Sequence, residues 1–262
     1  MKIYSIVTFN MRFPCENDGV NYYTHRVPFI KEVVEKRRPD VIACQEVTDE
    51  FRLALVKALP DYTVVGAGRM PDRRGEGVGF LFRKDTLQLS DLRAEWLSDT
   101  PARPGSRPGS RYEESDQSYV PRVMAVATFV PFDGEGSAFR VYNLHTDHVG
   151  KEARLLSSKA LLAAIEKDKA ENPLPFVALG DMNAFATDPE IMLLRESPLM
   201  RDVSDGLKIT FHRFMQRGYE GMKIDYIFVS EEFSAEEVSV WGETKGGLCL
   251  SDHHPVEAKL VL

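Results

Sequence analysis

The sequence predicts an α/β (α+β) fold in which two β-sheets pack face to face and helices lie outside them. Short apolar runs of strand type follow one another with few helical patterns between, as stacked sheets require. The clearest helical pattern, Lys151 to Lys169, turns Leu155, Leu156, Leu161, Leu162 and Ile165 inward and its lysines and glutamates outward. Several of the apolar runs also end in polar residues, which would place those residues on the rim of a sheet. At 262 residues, 43% of them hydrophobic, the chain can bury a substantial core without disulfide or metal. No composition shift marks a boundary, so residues 1–262 read as one domain.

In chain order, Lys2 to Asn10 is a first strand, and Met11 to Thr24 a polar loop. Arg26 to Arg38 has helical spacing through Val27, Ile30, Val33 and Val34, and stops before Pro39. Asp40 to Glu46 is a short buried strand. Thr48 is positioned to cap a second helix that offers Leu53, Leu55, Val56 and Leu59 for burial. Tyr62 to Val65 and Val78 to Phe82 are neighbouring strands.

Ser98 to Ser118 is a long irregular stretch holding a tandem repeat, Arg103-Pro104-Gly105-Ser106 and Arg107-Pro108-Gly109-Ser110. Two readings are open: a flap whose Arg103, Arg107 and Arg111 meet phosphate, or a solvated insertion. Strands resume at Tyr119 to Val130, which carries Arg122, and at Phe139 to Leu144. After the Lys151 helix, Leu174 to Ala178 enters a strand, and Asp188-Pro189 opens a short helix. Lys223 to Val229, Ala235 to Trp241 and Pro255 to Leu262 close the chain as strands.

The formal charge of −7 gives no basic excess of the kind that phosphate-driven binding to long nucleic acid calls for. It favours short or small phosphorylated ligands, or a local basic cleft on an acidic body. Cys15, Cys44 and Cys249 have neither CxxC nor finger spacing and imply a reducing compartment. The N-terminal strand pattern leaves no room for a signal peptide, and no apolar run would span a bilayer, so the expected address is cytoplasmic.

The strand ends carry the chemistry. Leu179-Gly180-Asp181-Met182-Asn183-Ala184 follows an apolar run, with Gly180 allowing a sharp turn or a close approach. Its companions are Thr8-Phe9-Asn10, Cys44-Gln45-Glu46, Asn143-Leu144-His145-Thr146-Asp147-His148, Ile224-Asp225-Tyr226 and Ser251-Asp252-His253-His254-Pro255. Singly, each reads as a turn that ends a strand. In this order, from Thr8 to Val256, they resemble the endonuclease/exonuclease/phosphatase superfamily, in its bacterial branch. The resemblance implies a deoxyribonuclease I-like, four-layer αββα sandwich of two mixed β-sheets, with the site where strands of both sheets finish.

It also implies roles. Glu46 is the metal ligand, joined by Asn10 and Asp252, and Mg²⁺ is the expected ion with Mn²⁺ as a substitute, since a hard cation wants oxygen donors. Asp225 orients His253, and either Asp181 or His253 is the general base. Asn183 and His145 donate to phosphate oxygens, while Arg122 either binds phosphate through its planar fork or makes a surface ion pair. His254 reads as structural, and His25 and His212 as solvated.

The expected function is metal-dependent phosphoester hydrolysis, foremost as a phosphodiesterase or nuclease. A phosphomonoesterase acting on a sugar or inositol phosphate is the alternative, and a catalytically inactive binding module of the same fold the second alternative. The implied partner is a phosphoester substrate, nucleic acid included; neither a membrane nor a protein partner is implied.

Overall fold

A computed structural model describes residues 1–108 and 117–262; Gly109, Ser110 and Arg111 of the predicted flap lie outside the described residues. The first half of the chain forms β1 (Ile3–Asn10), α1 (Tyr23–Arg37), β2 (Val41–Val47), α2 (Asp49–Ala58), β3 (Tyr62–Gly68), β4 (Gly77–Arg83) and β5 (Leu87–Trp96). The second half forms β6 (Val123–Pro131), β7 (Phe139–His145), α3 (Lys151–Glu171), β8 (Phe176–Asp181), α4 (Pro189–Arg195) and β9 (Arg201–Asp202). It ends with β10 (Asp225–Val229), β11 (Ser234–Val240), β12 (Thr244–Lys245), β13 (Leu248–Cys249) and β14 (Val256–Val261).

Among the described residues the strands make two six-stranded mixed sheets, ordered β11-β14-β1-β2-β4-β3 and β5-β6-β7-β8-β10-β9, plus the β12-β13 ribbon. A buried cluster including Ile6, Val41, Phe80, Phe129, Val141, Leu179 and Ile227 fills the space between the two sheets. A second cluster joins the outer face of the first sheet to α1 and α2, and a third joins the second sheet to α3 and α4. The layers therefore run α, β, β, α, as the sequence predicts.

Each sheet contains one parallel pair, β1 with β2 and β7 with β8. Parallel neighbours require a crossover, and here the crossovers are α1 and α3. Parallel strands also finish at the same end of their sheet, which gathers Asn10 with Glu46 in one and His145 with Asp181 in the other. Buried amides bridge the layers: Gln45 Nε2 donates to Asn143 Oδ1 at 2.7 Å, and Asn143 Nδ2 donates to the carbonyls of Cys44 and Gly79.

Several local expectations change. β5 is an additional, half-exposed edge strand, whose alternation changes phase at a register shift between Leu89 and Asp91. The predicted loop from Met11 to Thr24 contains a 3₁₀ turn, Glu16–Asn21, and α1 starts at Tyr23 rather than Arg26. Thr48 does cap α2, accepting from the Phe51 amide, but α2 buries Phe51 and Leu55 and leaves Leu53 and Val56 exposed. On α3 the buried face includes Arg154, Ser157, Ser158 and Asp168, with Leu155, Leu156 and Leu162 only half-buried. Arg154 Nε donates to Glu190 Oε1 at 2.5 Å, and Asp168 accepts from Tyr142 Oη at 2.6 Å.

Candidate metal-binding and catalytic site

Strand register decides which side chains meet. In the second sheet His145 lies opposite Asp181, and Asp181 lies opposite Asp225, so the three stand in one row across β7, β8 and β10. Gly180 makes the row feasible: its φ is +147°, and a Cβ there would sit 2.0 Å from the Leu144 carbonyl oxygen. In the first sheet Asn10 pairs with Gln45, and the β2–β4 ladder shifts register between Cys44 and Val47. That irregularity holds Glu46 at φ +61°, a left-handed conformation uncommon for a residue with a side chain. Asn183 is held the same way, at φ +46°.

Asn10 joins the two sheets at their common rim. Its Nδ2 donates to Glu46 Oε1 at 3.0 Å and to Asp181 Oδ2 at 2.9 Å, while its Oδ1 accepts from the Arg12 amide. Glu46 Oε2 accepts from the Phe13 amide at 3.0 Å. Burial opposes ionisation of Glu46, but the Asn10 and Phe13 hydrogen bonds outweigh it and hold the carboxyl below its ordinary value.

Asp181 Oδ1 accepts from the Asn183 amide. Its Oδ2 faces His145 Nε2 at 3.6 Å and His253 Nε2 at 3.7 Å. Burial and then the charge of Asp225 push Asp181 up to about 7. His253 Nδ1 bonds Asp225 Oδ2 at 2.9 Å; burial opposes the imidazolium, yet Asp225 and then Asp181 raise it to about 10. His145 is the reverse case: burial, Arg122 and Arg69 lower it well below the ordinary histidine value.

Two sets of ligand atoms lie within 4.8 Å of one another among the described residues: Glu46 with His145 and Asp181, and Asp181 with Asp225 and His253. Asp252 belongs to neither. It lines the same cavity, accepts from Ser251 Oγ and lies 3.8 Å from Arg12 Nε. The cavity measures about 630 Å³ and also receives Glu46, Asp181, Asn183, His145, His253 and Arg122.

Arg122 is buried, which removes the surface ion pair as its role. Its Nη2 donates to His148 Nδ1 at 2.7 Å, and its Nε lies 3.7 Å from Asp147 Oδ2. Asp147 itself accepts from Ser118, Val149 and Gly150, so it pins the end of the irregular stretch. Arg103 and Arg107 do not line the cavity; Arg107 instead donates to the Ser118 carbonyl. Arg111 lies outside the described residues.

His25 is exposed as expected, whereas His212 is buried, its ring 4.1 Å from that of His254 and its Nδ1 accepting from the Met215 amide. Sequence reasoning missed Arg12, Phe13, Arg69, Glu76, Lys151, Arg154, Phe185 and Phe211, all of which line the cavity. For Arg69 and Glu76 a signal existed: the glycines around them mark a tight hairpin whose ends must come together. Arg69 and Glu76 do so, amide to carbonyl at 3.0 Å and Nη2 to Oε2 at 2.9 Å.

Comparison with known proteins agrees with this geometry. The endonuclease/exonuclease/phosphatase family model matches residues 7–253. No match was found among curated protein sequences. An endonuclease/exonuclease/phosphatase structure from Bacteroides vulgatus is 27% identical, with 100% of each chain covered and a TM-score of 0.90. A mannosyl-6-phosphatase from Bacteroides thetaiotaomicron is 25% identical over 99% of this chain and 100% of that one, with a TM-score of 0.87. The D. rerio TDP2 complexed with single strand DNA product shares the fold at 16% identity, 100% coverage of both chains and a TM-score of 0.75. The row of polar strand ends, the stacked sheets and the family match lead to one conclusion: the chain belongs to the endonuclease/exonuclease/phosphatase family of phosphoester hydrolases, with its deoxyribonuclease I-like fold.

Proposed function

We propose that this chain hydrolyses phosphoesters by a metal-dependent, in-line attack of water on phosphorus, without a covalent enzyme intermediate. The observation that carries the reading is the convergence of Glu46 from one sheet with Asp181 and His253, bridged by Asn10, on a single cavity. The donor set fits a hard divalent cation, because carboxylate oxygens dominate it and, among the described residues, no cysteine lines the cavity. A cation beside Glu46 and Asp181 would also offset the burial and repulsion that raise Asp181. Glu46 would hold it with Asp181 or Asp252 nearby, and Asn10 would steady the carboxylates, since its Nδ2 already faces both. When bound, Mg²⁺ or Mn²⁺ supplies Lewis acidity to the phosphoryl and leaving oxygens.

The hydrogen bonds support the remaining roles. Asp225 takes His253 Nδ1, leaving Nε2 toward Asp181 and the cavity as a charged donor to a phosphoryl oxygen. Asp181 Oδ2 is the acceptor for the proton of the attacking water. Neutral His145 and the Asn183 amide donate to non-bridging oxygens, in a buried setting where such bonds gain strength. Arg122 stands on the cavity wall, where it would meet a phosphate that presents a further oxygen.

Phosphodiester hydrolysis of the nuclease type and phosphomonoester hydrolysis share this core, and the cavity walls choose between them. An inactive binding module would have no need of the full set of Glu46, Asp181, Asn183, Asp225 and His253. The deciding assay strips the protein of metal, restores Mg²⁺ or Mn²⁺, and follows mono- and diester hydrolysis for wild type, Asp181→Asn and His253→Ala, with circular dichroism to confirm folding. Hydrolysis should depend on metal and fall in both variants. Equal, metal-independent rates in all three would sink the reading.

A further inference from the structure

We propose that Arg69 and Arg122 form a wall of the cavity that recognises a terminal phosphate dianion, so that the substrate is a phosphomonoester of a small alcohol rather than a phosphodiester. This rests on the hydrolase reading above and narrows it.

The wall is built and held. Arg69 follows the last residue of β3, where the Trp96 indole donates to its carbonyl at 2.7 Å; Arg122 precedes β6, where the Leu97 amide donates to its carbonyl at 2.9 Å. The adjacent pair Trp96-Leu97 therefore fixes both backbones. Arg69, Arg122, Glu76 and His145 also line a second, narrow recess together, so they form one continuous surface.

The charges on it are under-compensated. The Arg122 side chain is 4% exposed, and its Nε and Nη1 have no hydrogen-bond partner among the described residues. Asp147, the one carboxylate within 4 Å of it among the described residues, is already occupied by Ser118, Val149 and Gly150. Arg69, 11% exposed on its side chain, has Glu76 as its carboxylate partner. Burial, and then the nearby Arg69, lower the Arg122 pKa against the pull of Asp147, Asp181 and Glu46. A buried guanidinium with open donors is costly unless an anion meets it.

A phosphomonoester fits that demand. At neutral pH it carries nearly two charges and three terminal oxygens, since its second pKa is about 6. A diester has one charge and two such oxygens. His253, Asn183 and His145 offer donors to a monoanion, and Arg69 and Arg122 add the charge and donors that a dianion calls for. A flanking phosphate in a polynucleotide is the poorer match. Binding along a strand needs an open basic track, whereas these two arginines are buried beside His145 and the chain carries a formal charge of −7.

The test compares kcat/KM of the Mg²⁺-loaded protein on mannose 6-phosphate and p-nitrophenyl phosphate with that on bis(p-nitrophenyl) phosphate and a single-stranded oligonucleotide. Monoesters should be preferred by about 100-fold, the order expected for two added charge-assisted contacts. Arg69→Gln and Arg122→Gln should each lower monoester turnover about 10-fold more than diester turnover, and Arg122→Lys should recover part of the loss. Inorganic phosphate should inhibit wild type more strongly than dimethyl phosphate does, a readout that needs no variant to fold. Preference for the diester or the oligonucleotide, or equal losses on both ester classes, would overturn the proposal while leaving the hydrolase reading intact. If no ester were hydrolysed, the hydrolase reading would fail; calorimetric titration of inorganic phosphate into wild type and Arg122→Gln would still judge the arginine wall, with equal affinities counting against it.

Discussion

His253 and His145 stand at matching distances from one atom, Asp181 Oδ2, at 3.7 and 3.6 Å, and both are buried. Their charges nevertheless diverge. Burial disfavours the cation in each. At His253, Asp225 at 2.9 Å overrides burial and carries the pKa up to about 10. At His145, burial is reinforced by Arg122 and Arg69, and the ring is held neutral. Identical side chains at similar depth thus receive different duties from their second neighbours: a fixed cation on the β10 and β14 side, a neutral donor on the arginine side. In the proposed reaction, this division would let one cavity oppose developing negative charge without filling itself with mutually repelling imidazolium groups.

The largest effect should come from the charged member. His253→Gln keeps a donor but loses the cation, and kcat on a phosphoester with Mg²⁺ should drop about 10³-fold, within the range for charge-stabilising and acid–base groups. Asp225→Asn comes next. Losing Asp225 removes the principal charge that raises His253, so the imidazolium, stable to about pH 10 in wild type, would be lost as pH rises through the neutral range. Relative activity of Asp225→Asn should therefore be highest below about pH 6 and fall by about 10- to 100-fold toward pH 8. A pH–rate profile parallel to wild type would mean that Asp225 does not set the charge. His145→Gln retains a neutral donor and should cost about 10-fold or less in kcat/KM. A loss equal to that of His253→Gln would erase the distinction between the two histidines.

How legible these features are in sequence depends on the range of the physics involved. Asn10, Glu46, His145, Asp181 and Asp225 stand out because an apolar strand and its polar end are contiguous, and Gly180 advertises the close approach that aligns them. The geometry of Glu46 is not readable, since it comes from a register shift against β4. Arg122 is legible as a phosphate-binding candidate but its burial is not: an arginine is ordinarily a surface residue, and its burial depends on β6, His148 and Asp147 meeting in space. β5 is hard to read because a register shift between Leu89 and Asp91 puts its two alternating halves, Leu87 with Leu89 and Leu92 with Ala94 and Trp96, out of phase. The polar buried face of α3 is explained only by partners on other elements, Glu190 for Arg154 and Tyr142 for Asp168.

A third histidine sharpens the contrast by removing catalysis from it. His212 is buried outside the row of carboxylates, beside His254, and burial and then His254 lower its pKa to about 3. Folding therefore favours its neutral ring, which accepts from the Met215 amide. A group whose folded pKa lies below its unfolded value contributes stability that is complete above about pH 6.5 and drains away as pH falls toward 3. His212→Gln cannot contribute this slope. Thermal melting of both proteins from pH 8 to pH 4 should show the wild-type advantage greatest at the alkaline end and shrinking steadily on acidification, while metal-dependent turnover at pH 7.5 changes far less than in His253→Gln. A gap in Tm that stayed constant across that interval would show that the buried ring is not what makes the fold acid-sensitive, and that depth alone does not keep a histidine neutral here.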